Sequence, residues 1–167
     1  MKKMMNEKEF KLLPPGCVKN LSDKLFEKRK AGAMEVEQIV KALLSKEKFS
    51  DLEKILEFFG QEFIPSCNCH VRKGGLIGLA SVAIGLGRVM FLYTNYILLD
   101  VQKAANYSDM IITPVLQTFR DTDARVRYFA CEALYNIMKV LQTAALRYLN
   151  EIFEALSLVS CILSLHL

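Results

Sequence analysis

The chain of 167 residues contains no tryptophan, only four prolines and eight glycines, and no apolar run long enough to cross a bilayer. Few prolines leave long helices uninterrupted, and 52% hydrophobic against 24% charged residues excludes wholesale disorder. The apolar stretches 89–101 and 152–167 fall short of the roughly 20 residues a spanning helix needs, and each carries an acidic residue. The start, MKKMMNEKEFKLLPP, lacks the apolar core of a secretory signal. Cysteines number five, an odd count that argues for free thiols in a reducing cytosol over a disulfide framework. A net charge of +4, with no basic stripe interleaved with aromatics, points away from nucleic acid.

What is present is helical periodicity throughout, and the expected fold class is all-α. Pro14 and Pro15 open a short helix over 14–23, since proline is tolerated where the first amides lack partners. A longer helix follows over 24–48. At 49–63, Ser50 and Glu53 give a capping-box signal before the stripe Leu52, Ile55, Leu56 and Phe59, and Pro65 ends it. Asn68 caps a helix over 68–87; others are expected over 108–119, from 121 onward, and from about Ala144.

The helices repeat. With Val126 as anchor, the same columns recur from Val71 and from Lys28. Three residues before the anchor stand the caps Asp123 and Asn68. Four after it come Ala130, Gly75 and Gly32; eight after, Leu134, Leu79 and Val36; eleven after, Ile137, Val82 and Ile39; fifteen after, Leu141, Leu86 and Leu43. These offsets share one helix face, with a small residue where a neighbour approaches and branched residues where a core is filled. Arg29 to Arg72 is 43 residues, a spacing typical of HEAT repeats, but Arg72 to Arg127 is 55. The surplus lies in VMFLYTNYILLDVQ, 89–102, an apolar insert where a surface loop should be polar.

Helix pairs whose second member opens with Asp and Val-Arg resemble the HEAT repeat. That resemblance implies a charge ladder between repeats, here Asp123 with Arg127 and Arg72. More narrowly, segments 21–40, 72–87 and 127–140 are similar to the N-terminal repeats of the Vac-fourteen scaffold family, also called ArPIKfyve. The likeness covers 16–88 and 103–157, in order. It implies a noncatalytic scaffold holding PIKfyve, the lipid kinase that makes phosphatidylinositol 3,5-bisphosphate on endosomes and vacuoles, together with its opposing phosphatase. Homo-oligomers would belong to the full-length family, and the chain would be cytoplasmic, peripheral on endosomal, lysosomal or vacuolar membrane. The family pattern lacks the insert and continues beyond Ser157, so 89–102 and 158–167 read as intron read-through or a gene-model artefact.

The expected organisation is a polar tail over 1–13, an α-solenoid of about three HEAT repeats and part of a fourth over 14–157, and an apolar tail over 158–167. Alternative readings are another HEAT-type adaptor, for transport or a phosphatase, or a small membrane-associated or catalytic protein. CNCH at 67–70 lacks the second ligand pair of a zinc site, and no cofactor or catalytic residue is expected. KGGLIG at 73–78 lacks the lysine and hydroxyl of a phosphate loop, and its glycines follow the helical columns, which suits close helix packing. Lys28, Arg29, Lys30, Arg72, Lys73 and Arg125 would align as a basic ridge facing an acidic partner or phospholipid headgroups. Tyr128, Glu132 and Tyr135 lie away from the apolar columns as further partner contacts.

Overall fold

A computed structural model describes residues 11–87 and 101–164, with side chains from 106 to 158 in the second segment. Most of the 89–102 insert, the start of the polar tail and the last three residues lie outside the described residues. Seven α-helices occur among the described residues: α1 (Pro15–Leu21), α2 (Phe26–Ser45), α3 (Phe49–Phe58, continued by a π-helical turn Phe59–Phe63), α4 (Cys69–Leu86), α5 (Val101–Gln117), α6 (Ala124–Leu141) and α7 (Leu149–Ser164). The fold class is all-α, as expected. Several boundaries differ from expectation, and α5 begins at Val101, seven residues before the expected start at 108 and within the expected insert. Lys48, not Ser50, precedes α3, and no side chain caps it. The last helix begins at Leu149, after a 3-10 stretch over Gln142–Tyr148.

Consecutive helices pair as α1 with α2, α3 with α4 and α5 with α6, and the pairs stack. The second helices form one layer, with α4 packed between α2 and α6. Their shared columns supply the core: Val36, Leu79, Leu134, Val82 and Ile137 are almost fully buried, while Ile39 and Leu43 pack partly against it. Leu13, placed by the sequence in a polar tail, is also buried there. Phe58, Phe59 and Phe63 fill the space beneath α4, with Phe59 and Phe63 edge to face at 5.3 Å. Burial of a phenyl ring contributes about 1.5–3 kcal/mol, so this cluster is a major anchor of the second pair.

The glycines of α4 make that approach workable. A Cβ on Gly75 would lie 2.7 Å from the Phe63 Cβ, one on Gly78 would enter the Phe59 ring, and one on Gly74 would overlap the Leu21 carbonyl. KGGLIG is therefore helix interior pressed against α1 and the phenylalanine cluster. Pro114 sits inside α5, where it removes an internal hydrogen bond.

Candidate protein-interaction face

The loops before α2, α4 and α6 are built alike, each around the arginine in the next helix's first turns. Arg29 donates through one guanidinium nitrogen to the carbonyls of Asp23 (2.8 Å) and Lys24 (2.9 Å). Arg72 donates in the same way to Ser66 (2.9 Å) and Cys67 (3.1 Å), and Arg127 to Asp121 (2.7 Å) and Thr122 (3.3 Å). In every case the acceptors lie six and five positions back. The residue six back also turns the loop with its side chain: Asp23 accepts from the Leu25 amide, Ser66 from Asn68 and Asp121 from Asp123. Such turns are a favoured use of Asp and Ser. The Val-Arg signal in the sequence thus marks an arginine that ties down the carbonyls leading into its own helix.

The expected ladder needs correction. Asp123 does not pair with Arg72 or Arg127: its extended backbone at the N-cap turns its carboxylate to the Arg125 amide, 2.8 Å away. Burial alone would raise its pKa, but that amide bond, the Cys69 thiol and the Lys73 charge outweigh it and hold it below the usual carboxylate range. The inter-repeat acid is Asp121, two residues earlier. Its Oδ2 is 2.6 Å from Arg72 Nε, a close charge contact off the N–H direction, and its Oδ1 accepts a directed bond from the terminal nitrogen at 2.9 Å. That bond holds the Arg72 pKa above its usual value. Ser66 offers no carboxylate at the corresponding place, so Arg29 stacks instead over Phe129 (5.4 Å) and Phe26 (5.9 Å).

The proposed ridge is also only partly a surface. Arg29 and Lys73 are each 3% exposed: the first lies between its loop and two phenyl rings, the second is buried in the first turns of α4, where its charge acts on His70 and Asp123. They cannot reach a partner as solvated side chains. Lys30 and Arg125 are exposed, Lys28 is exposed but pairs with Asp23 at 2.9 Å, and Arg72 is half-buried in its pairing. Burial, followed by the charges of Lys73, Arg29 and Arg125, lowers the His70 pKa, which marks where the basic groups converge: at the start of α4. Tyr128 and Tyr135 are 68% and 62% exposed, Glu132 is exposed between them, and Lys139 lies 5.2 Å from the Tyr135 ring centre.

Between α2 and α6, over α4, runs a groove of about 330 Å³. It is lined by the small residues Ala33, Ala80, Ser81 and Ala133, with Phe26 and Met34 on the α2 wall, Phe129 on the α6 wall and Ile84 on α4 beneath. Phe26 and Phe129 meet across one end, ring centres 6.0 Å apart. The groove was missed in the sequence, though Met34 and Ile84 gave a signal: both are apolar outside the repeat columns. A second hollow, about 500 Å³, lies between α5 and α7 beside Asp109, Tyr148 and Glu154. Cys67 is exposed and Cys69 half-buried, and among the described residues no three His, Cys, Asp or Glu side chains gather as metal ligands. Among the same residues no helix is long and apolar enough to cross a membrane.

The family described as the Vacuolar 14 Fab1-binding region matches residues 70–163. The Arabidopsis thaliana protein VAC14 homolog is 44% identical over 148 residues, covering 89% of this chain and 18% of that protein. The Schizosaccharomyces pombe VAC14 homolog is 38% identical over 141 residues, with 83% and 16% covered. The vacuole morphology and inheritance protein 14 of Saccharomyces cerevisiae is 37% identical over 143 residues, with 85% and 15% covered. The chain thus spans less than a fifth of the length of these curated relatives. No solved structure matches it.

Proposed function

The chain belongs to the Vac14 family, and from that premise we propose that it is a noncatalytic scaffold segment that binds a lipid kinase of the Fab1/PIKfyve type. The observation that carries this reading is the Fab1-binding region match over 70–163, which includes α4 and α6 and hence the floor and one wall of the open groove. Stacked helix pairs suit the role, because neighbouring repeats bury a continuous core and leave ridged faces for partners. Scaffolding works by raising effective concentration, which holds the kinase beside its regulators. In this reading the kinase makes phosphatidylinositol 3,5-bisphosphate, the opposing phosphatase joins the same assembly, and the complex sits peripherally on endosomal or vacuolar membrane. Exposed Lys30 and Arg125 would contribute the basic charge of the contact face, with Tyr128, Glu132 and Tyr135 beside them.

Affinity capture tests the reading. The tagged chain should retain the Fab1-type kinase from extract and, with purified kinase, should bind it directly. A purified kinase that does not bind, or phosphoinositide turnover by the chain alone, would count against it.

A further inference from the structure

We propose that the groove between α2 and α6 receives an amphipathic helix of about three turns from the partner, oriented with an acidic residue at the end where α2, α4 and α6 begin. The proposal rests on the scaffold reading for the identity of the protein that supplies the helix.

Shape comes first. The groove spans Phe26 to Glu37 along α2, roughly 16 Å at 1.5 Å per residue, the length of three helical turns. Along the middle of the trough, Ala33 on α2, Ala80 and Ser81 on α4 and Ala133 on α6 are small, while Phe26, Met34, Ile84 and Phe129 stand around them, so space remains for side chains that enter from above. Met34 is 60% exposed and Ile84 38%, two apolar side chains left uncovered in a trough edged by Lys30, Glu37, Glu132 and Asn136. An apolar stripe spaced three and four residues apart on a partner helix fits this form of trough.

Charge sets the direction. The N-termini of α2, α4 and α6 lie side by side: Phe26 meets Phe129, and the Arg29 charge is felt at both Cys69 and His70. Three helix starts place their partial positive charge at this end. Arg29 and Lys73 add two buried cations behind it, and Lys30 stands exposed on the groove wall. The other end carries Glu37, whose charge is shared with Lys41, and Glu132, in no ion pair among the described residues, stands along the α6 wall. An incoming helix is therefore favoured with an acidic residue, or its own C-terminus, beside Lys30, and with any basic residue towards Glu132. Buried charges with no counter-ion in a groove make the wrong orientation costly, so the same features give selectivity.

The test uses the whole chain and purified Fab1-type kinase, and compares wild type with Met34→Glu, Lys30→Glu and, on the opposite layer, Glu57→Lys. Met34 and Lys30 are exposed, so unchanged helical circular dichroism and melting are expected. Met34→Glu should weaken kinase binding more than about tenfold, as for a truncated interface anchor. Lys30→Glu should weaken it less, with the difference fading as salt rises, and Glu57→Lys should leave it unchanged. A photo-crosslinker at position 34 should capture one kinase peptide with helical apolar periodicity and an acidic residue near one end. Charge reversal of that acid should restore binding to Lys30→Glu. Equal binding by wild type and all variants overturns the groove assignment alone, as does a crosslinked peptide from a second copy of this chain or one lacking the periodicity. A wild-type chain that binds no kinase overturns the scaffold reading and the groove assignment with it.

Discussion

Arg72 on α4 and Asp121, 49 positions later in the loop before α6, form the one ion pair among the described residues that joins two repeats and is largely withdrawn from solvent, with side chains 14% and 10% exposed. Its effect can be set against Arg120 with Glu154, which are 70% and 67% exposed at 3.0 Å. Removing one partner of a mostly buried pair strands the other, so Asp121→Ala should cost about 3 kcal/mol, whereas Glu154→Ala should cost under ~1 kcal/mol. Urea unfolding of the two variants checks the ranking. Equal losses would mean that the pair does not couple the repeats.

The repeat columns were legible because burial imposes a period, and a period survives in sequence. Val36, Leu79 and Leu134 are all buried in the core, on helices that pack side by side, as their spacing required. The ladder acid was not legible because Asp121 and Asp123 are chemically equivalent and only two residues apart. Backbone conformation divides their roles, the extended N-cap taking Asp123 and the turn before it taking Asp121. The basic ridge was overread for a different reason. Charge type predicts exposure only on average, and here Phe26 and Phe129 cover Arg29 while Lys73 is buried in the first turns of α4. Met34 and Ile84 hinted at the groove, but its shape was not legible because it depends on what α2 and α6, far apart in sequence, leave open above α4.

The glycines divide into necessary and replaceable. Gly74→Ala should destabilise the fold by more than about 2 kcal/mol, because the added methyl meets backbone at Leu21 that cannot swing away. Gly16→Ala on α1 meets nothing within 4 Å and should stabilise by about 0.5–1 kcal/mol through helix propensity. Thermal melts of the two variants should shift in opposite directions.

Asp123 links stability to pH. Its folded pKa is lowered, so its contribution is present above the unfolded value of about 3.9 and is lost as pH falls through the folded value. Asp123→Asn should keep the cap, as Asn68 does on α4, while flattening the acid limb of the stability profile. Asp123→Ala should cost about 1 kcal/mol at neutral pH from the lost cap. Urea midpoints between pH 3 and 7 distinguish the two variants.

The thiols should react in two classes. Cys17 is fully buried and bonded to the Gly32 carbonyl, and burial, followed by the Glu35 charge, pushes its pKa up to about 12. Its thiolate fraction at pH 8 is then about a thousandfold below that of an ordinary cysteine. Iodoacetamide should label exposed Cys67 first and Cys17 only on unfolding, as read by peptide mass spectrometry. Early labelling of Cys17 would show that α1 opens readily from α2.

The outer face of α7 carries Leu149, Phe153 and Leu156, with Leu146 just before it, all exposed, and Phe153 and Leu146 are each 63% so. A stacked repeat buries such a face against its neighbour, and an uncapped one associates with whatever apolar surface it meets. Residues 1–167 in isolation should therefore self-associate at micromolar concentration, and Phe153→Glu together with Leu146→Lys should shift light scattering towards monomer with the helical signal unchanged. Because this face is remote from the α2–α6 groove, the double variant should still bind the kinase if the groove is the docking site. Loss of kinase binding with retained helicity would instead place the contact on α7.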